Sequence, residues 1–518
     1  MKRLISLLLA LALATLAAAA GPKPKLILAI VIDQFRYDYL LRFRADYHDG
    51  LDRLLTHGAV FTDAHYPQGA TVTAVGHSTF LTGAPPAMSG IIANAWYDRE
   101  SASMVTSVSD PRTTLVGAPG THPGSSPRRL LVSTVGDELK MSGSDSHVVS
   151  VSIKDRSAIL PGGHMADGAY WYDEPAHSWV TSTYYRGALP EWVQRINAAQ
   201  PAQRYAGARW LPVDGPATAK PFCTMAPEPG IRRCGSIEAS PYGNEMIEDF
   251  AERALDAEKL GGHKGTDILA VSFSSNDYVG HAVGPDDPAV RDISIRTDRL
   301  IGKLLQRAEQ RVGAGNVLVV LTGDHGVSPV PEVNQARRMP GGRLNEKEFL
   351  AHLNNALSKR FGPGQWLVPG AAPVMPYLNL ELVDSHKLDR AEVERVAADA
   401  ARAEPHIARV YTRSQLLAGQ AGPDAIAHAV ALSFFAPRYG DLLILPEPYY
   451  LFEASGTSHG TPYDYDNHVP VIFAGPGIKP GTYTGRILVN DIAPTLAQIL
   501  GVETPAGSIG RVLGEMLN

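Results

Sequence analysis

The chain has 518 residues, 47 basic and 53 acidic, with a formal charge of −6 and 44% hydrophobic side chains. It carries no long block of like charge, which argues against nucleic-acid binding through a basic surface. Two cysteines are too few for a four-cysteine zinc ribbon or an iron–sulfur cluster. At about 150 residues per domain, the length suits roughly three units or one large α/β body with insertions.

Met1-Lys2-Arg3 precedes an apolar run from Leu4 to Ala20 that ends Ala18-Ala19-Ala20. A charged start, a Leu/Ala stretch and an Ala-x-Ala site describe a secretory signal peptide over 1-20. An uncleaved anchor is the other reading, since a run of about 17 apolar residues just reaches across a bilayer. The Ala-rich end favours cleavage near Ala20 and a periplasmic or secreted mature chain, with no stable membrane insertion afterwards. Short, almost continuously apolar runs follow at Leu26 to Ile32, Val148 to Ile153, Ile268 to Phe273, Val317 to Leu321 and Val469 to Ala474. Such runs suit strands covered on both faces of a parallel sheet. Helical periodicity at Glu245 to Lys259 and Pro288 to Arg311 feeds directly into the Ile268 and Val317 strands, as in βαβ units.

Two segments read as insertions into a catalytic body of 21-344 and 421-518. Residues 185-242 hold Pro, Arg, Trp and both cysteines with little periodicity, so a lid or surface excursion is expected. In an oxidising compartment a structural disulfide between Cys223 and Cys234 is expected over two free thiols. Residues 345-420 form a small α+β cap: helix Glu346 to Phe361, strand Tyr377 to Leu382, helix Arg390 to Ala403 and strand Ile407 to Tyr411. Val489 to Leu500 reads as a last amphipathic helix.

Ligands of an open parallel sheet bind beyond the carboxyl ends of its strands, and that is where the acidic and histidine residues fall. Asp33 ends the first strand. Asp277 follows the Ile268 strand, with His281 one helical turn on, and Asp324-His325 follow the Val317 strand. His459 lies in Gly-Thr-Ser-His-Gly, shortly before the Val469 strand; His468 is a competitor that opens that strand instead. Any one strand-end Asp reads as a turn or cap residue, but three aspartates and three histidines at one edge point to metal, with Zn²⁺ suited to mixed imidazole and carboxylate ligands. Gly69 to Gly83 places Thr71 and Thr73 at the start of a helix closed by Gly83. A first-turn hydroxyl beside free N–H groups suits an anion such as phosphate; plain N-capping by either threonine is the bland reading.

The Thr73-Ala-Val-Gly-His77 spacing resembles the nucleophile motif of the type I phosphodiesterase/nucleotide pyrophosphatase branch of the alkaline phosphatase superfamily. Asn94, in Ser89-Gly-Ile-Ile-Ala-Asn94, is similar to that family's phosphate-contacting Asn. Lys154-Asp155-Arg156 resembles the Lys-x-Arg element of its secreted bacterial alkaline phosphatases. The resemblance covers nearly the whole mature chain and implies an alkaline-phosphatase-like, mostly parallel sheet sandwiched by helices. It implies two Zn²⁺ ions, one held by Asp277, His281 and His459, the other by Asp33, Asp324 and His325 with Thr73 Oγ. Thr73 is then the nucleophile, forming a phosphothreonine, with Asn94, Lys154 and Arg156 on the phosphoryl oxygens. His77 is expected to bond locally and His164 to serve a loop.

Two cations match the dianion of a phosphate monoester, so small-molecule monoesters are the expected substrates; the oligomeric state is unknown from the sequence, with a monomer favoured. Phosphodiesterase or nucleotide pyrophosphatase activity is the alternative enzyme reading. Sulfatase chemistry is disfavoured, because position 73 has no Cys or Ser to become formylglycine. An inactive zinc- or phosphate-binding relative is the reading from another class, and no nucleophile or ligand is missing to support it.

Overall fold

The computed structural model describes residues 23–216 and 218–518, and the signal reading of 1-20 lies outside them. Among the described residues one central sheet contains β1 (Leu26–Ile32), β2 (Ala59–Phe61), β3 (Ser109–Val116), β4 (Pro123–Ser125), β5 (Val148–Ser152), β6 (Gly168–Asp173), β7 (Ser178–Ser182), β8 (Asp267–Phe273), β9 (Val317–Gly323), β10 (Val471–Ala474) and β11 (Gly481–Tyr483). Their spatial order is β11-β2-β10-β9-β1-β8-β5-β6-β7-β3-β4. The five central strands, β9 to β6, run parallel. Antiparallel pairings add β10 and β2 on one side and β7, β3 and β4 on the other.

The helices that position the site are, in chain order, α1 (Thr73–Thr82), α2 (Asp155–Gly162), α3 (Pro241–Ala257), α4 (Ser275–Val283), α5 (Pro288–Val312), α6 (Glu346–Phe361), α7 (Leu380–Ser385), α8 (Arg390–Ala403) and α9 (Ile492–Leu500). Because side chains alternate along a strand, β1 feeds both faces. Leu26, Leu28, Ile30 and Ile32 pack with α3 and α5, whereas Ile27, Ala29 and Val31 pack with α9. The α5 helix shows why this sequence is helical. Asp287 caps it through a bond from Ala289 N–H, Pro288 fills its first turn, and Gly313, at φ 86°, ends it. Its Ile293, Leu300, Ile301, Leu304 and Leu305 are buried on the sheet side, each contributing about 1.5–3 kcal/mol of transfer free energy. The result is a mostly parallel sheet sandwiched by helices, as the sequence leads one to expect. No described helix is long and apolar enough to cross a membrane.

Two elements differ from the sequence reading. The Val469 strand forms as β10 but runs antiparallel, Val471 pairing with Thr322 at the carboxyl end of β9. The chain re-enters the sheet from the edge where the His459 loop lies, so it has to run back across it. The expected strand Tyr377 to Leu382 is instead a single bridge, Leu378 to Leu367, followed by α7. Asn379 decides this locally: its side chain accepts from Leu382 N–H and caps the helix.

The cap packs α6 and α8 on Trp366, Leu378 and Val410. Its strand Ile407–Thr412 pairs with Leu442–Pro446, so this layer draws on residues beyond 420. In 185-242, Cys223 and Cys234 are disulfide-bonded, and with Trp210 they pack into the α3/α5 layer. Trp210 Nε1 donates to Asp292 of α5 at 2.6 Å.

Glu248 of α3 is buried, and one of its carboxyl oxygens has no partner. Burial, reinforced by Glu252, pushes its carboxyl up to about 8 from an ordinary 4.5. The folded chain therefore keeps a proton that the unfolded chain releases, and this group loses stability as pH rises between those two values. Glu248→Gln is expected to raise the thermal midpoint by more at pH 9 than at pH 5; equal shifts would show that Glu248 does not titrate in this way.

Candidate active site

Parallel register brings three strand ends to one height. Ile32 of β1 pairs with Phe273 of β8 and with Gly323 of β9. Asp33, the α4 residues and Asp324-His325 follow directly, so one edge gathers them all. In the first turn of α4, Asp277 presents Oδ1 3.2 Å from His281 Nε2. His459 arrives from the loop before β10, its Nε2 3.7 Å from Asp277 Oδ1 and 3.2 Å from His281 Nε2. Beside this trio, His325 Nε2 stands 3.5 Å from Asp33 Oδ1 and 3.4 Å from Asp324 Oδ2. Ligand atoms of Asp33, Asp277 and His325 also lie within 4.8 Å of one another, so Asp277 faces both groups.

The donor chemistry suits metal. His281 Nδ1 bonds to Thr457 O at 2.7 Å, His459 Nδ1 to Thr71 O at 2.8 Å and His325 Nδ1 to Gly326 O at 2.9 Å. A carbonyl only accepts, so each Nδ1 carries a proton and each Nε2 is the nitrogen turned to the site. Asp33 Oδ1 and Asp324 Oδ2 are buried without hydrogen-bond partners. Burial, and then the neighbouring Asp33, push Asp324 well above the usual carboxylate range. Burial also pulls His325 down to about 3 and His459 well below an ordinary imidazole, so both stay neutral. At His281 burial is outweighed by Asp277, which lifts it to about 9, so its Nε2 holds a proton beside Asp277 that a bound metal ion would have to displace.

Lys154 supplies positive charge here. Its Nζ lies 2.7 Å from Asp33 Oδ2 and 2.6 Å from Asp277 Oδ2, almost fully buried. Burial would raise Asp277, but Lys154 and His281 overcome it and hold the carboxyl well below its usual range. Expected on a phosphoryl oxygen, Lys154 is thus placed between two candidate ligands. Arg156 has no carboxylate nearer than Asp155 at 3.9 Å among the described residues, and its buried Nε lacks a partner.

The α1 helix presents Thr73 at its start. Neither threonine caps it: the N-cap is Val72, and Thr71 Oγ1 donates to Thr461 O at 2.8 Å. Thr73 Oγ1 is left 3.4 Å from His325 Nε2. Asn94 Oδ1 accepts from Ala74 N–H at 2.8 Å, docking that amide on the first turn. All of α1 is buried, and its close approach to the Asp324 loop needs Gly76, where an added Cβ would lie 2.1 Å from Asp324 O. His77 bonds locally to Thr73 O at 2.9 Å, but also reaches Ser272 Oγ on β8 at 2.7 Å, and its Nδ1 lies 3.2 Å from Asp324 Oδ2. His164 bridges Asp137 and Leu130 O in its loop. His468 stays apart, stacked between His65 and Tyr37.

Gln34 is a site residue that the sequence reading passes over. At φ 57°, its backbone N–H donates to Asp324 Oδ1 at 3.0 Å and its Nε2 to Asp277 Oδ1 at 2.7 Å. One residue thereby ties together carboxylates from two strands. Its place directly after Asp33 was the available signal, but the left-handed backbone that aims its side chain is not readable from sequence.

Residues 27–468 match the type I phosphodiesterase / nucleotide pyrophosphatase family. Over 95% of the chain, the sequence is 35% identical to alkaline phosphatase PhoV of Synechococcus elongatus, covering 93% of that protein. It is 33% identical to alkaline phosphatase PafA of Elizabethkingia meningoseptica over 95% of this chain and 94% of that one. The crystal structure of wild-type PafA superposes with a TM-score of 0.89 at 31% identity, covering 96% of this chain and all of that one. A further PafA structure carries substitutions at a threonine, an asparagine, a lysine and an arginine. The chain belongs to the type I phosphodiesterase / nucleotide pyrophosphatase family, a family of hydrolases. Within it, this enzyme stands with the alkaline phosphatases.

Gln34→Leu removes a hydrogen bond to a buried carboxylate and is expected to cost about 1.5–3 kcal/mol of stability in denaturant unfolding. An unchanged midpoint would show that the bond contributes nothing.

Proposed function

We propose that the chain is a secreted, zinc-dependent alkaline phosphatase that hydrolyses small phosphate monoesters through Thr73. The observation that carries this reading is the hydroxyl of Thr73, uncapped and beside His325, at the head of a buried helix flanked by two trios of candidate ligands. Asp277, His281 and His459 would hold one ion, and Asp33, Asp324 and His325, with Thr73 Oγ, the other. Two zinc ions supply Lewis acidity there, favouring the alkoxide of a poor nucleophile and offsetting charge on the oxygens around phosphorus. Thr73 gives its hydroxyl proton to solvent and its Oγ forms the new bond to phosphorus as the ester oxygen leaves and takes a proton from water; a second water then attacks phosphorus, and Thr73 leaves and regains a proton as phosphate is released. The amide of Asn94 and the charges of Lys154 and Arg156 orient the phosphoryl group and offset its negative charge.

The threonine-to-asparagine and lysine-to-arginine intervals of the substituted PafA are those separating Thr73 from Asn94 and Lys154 from Arg156, which supports this assignment. The Cys223–Cys234 disulfide supports a periplasmic or secreted location, with cleavage near Ala20. We read the chain as a monomer.

Thr73→Ala is expected to abolish aryl phosphate turnover while metal analysis still finds two zinc ions per chain; turnover like that of wild type would overturn the nucleophile. Lys154→Ala and Arg156→Ala are each expected to lower kcat/KM for an aryl phosphate by at least about tenfold more than for a bis-aryl phosphate. Equal losses would remove the monoester argument.

A further inference from the structure

A cavity of about 380 Å³ opens beside the site. Asn94, Val72 and His459 line it on the side of the site, and the rest of its lining includes Met375 of the cap and Tyr439, Leu443 and Phe452 from the chain that follows it. The lining is mostly aliphatic and aromatic. Glu346 and Glu453 are its only acidic side chains, and neither lysine nor arginine is among its lining residues. An apolar cavity of about 150 Å³ already accepts benzene, so this one has room for a substituted ring.

Position identifies which part of a substrate it meets. Of the two trios, the cavity touches the one containing His459 and none of Asp33, Asp324 and His325. The trio nearest Thr73 Oγ is that of His325. In-line displacement sends the leaving oxygen away from Thr73, toward the His459 side. The cavity therefore lies where the alcohol half of a monoester must go.

We infer that this cavity is the leaving-alcohol subsite and that the enzyme favours monoesters of neutral, apolar alcohols, aryl or aryl-alkyl, over those whose alcohol carries negative charge. The inference rests on the phosphatase reading above. Apolar walls reward burial of hydrocarbon. Glu346 and Glu453, with no cation to offset them in the lining, oppose a second anionic group.

The test uses the zinc-loaded enzyme and three alkyl phosphates of similar leaving-group acidity, so that chemistry does not imitate binding: 3-phenylpropyl, ethyl and 5-carboxypentyl phosphate. Wild type is expected to show kcat/KM about tenfold or more higher for the phenylpropyl than for the ethyl ester. Phe452→Ala should cut that ratio about fivefold or more. Glu346→Gln with Glu453→Gln should raise kcat/KM for the carboxypentyl ester alone. A wild-type ratio near one, or a carboxypentyl ester used as well as the phenylpropyl one, would overturn the inference even if Phe452→Ala fails to fold. If no ester is turned over, the phosphatase reading falls and the cavity is still decided by calorimetry: 3-phenylpropylphosphonate must bind more tightly than ethylphosphonate, and equal affinities overturn it.

Discussion

Three buried carboxylates, Asp33, Asp277 and Asp324, face one another across the ends of three neighbouring strands, and much of the site follows from that crowding. Like charges taken out of water so close together are tolerated only if positive charge or protons come among them. The chain supplies some of both. Lys154 bridges Asp33 and Asp277, Gln34 donates to Asp277 and Asp324, and Asp324 is driven toward its protonated form. Two carboxylate oxygens nevertheless remain without a partner, and the unprotonated Nε2 of His325 faces both. An arrangement so short of positive charge is built to receive cations.

What makes the crowding possible is the regularity of the sheet. A one-residue slip of β8 or β9 against β1 would turn the strand-end side chains to the opposite face, and the apolar faces on either side of β1 resist that slip by burying alternate residues in separate cores. The α1 helix is held to the same frame by the small residues along it. With Gly76 against the Asp324 carbonyl, Thr73 and His325 approach because their backbones touch nearby, not because either side chain reaches far.

Much of this was legible in the sequence. Continuous apolar runs marked five strands, and the caps and periodicity of α5 and α8 set their limits to within a residue or so. Asp33, Asp277, Asp324, His325 and His459 fell at strand ends or in the loop before a strand, so a list of positions already sketched an edge. What stayed hidden depended on direction. The reversal of β10 follows from where a loop lies in space, the helix at Leu380 from one capping asparagine within an apolar run, and the reach of Gln34 from a left-handed backbone. The bonding of Lys154 to carboxylates was hidden for a related reason: sequence shows that a cation is near, not which anion it faces.

The reversal of β10 also bears on how such an enzyme can diversify. The chain leaves the sheet after Gly323 and rejoins it at Val471, pairing back along the strand it left. Everything between hangs from one edge like a handle fixed at both ends. Away from Ser433, which accepts from Gly69 and Ala70 N–H just before α1, its length and composition can change without disturbing the strand order or the candidate ligands before it, and its walls reach the cavity beside Asn94. Inheritance can therefore exchange the part that lines this cavity while keeping the strand ends, with Asp324, His325 and His459 as the candidate ligands that must stay in the exchanged segment.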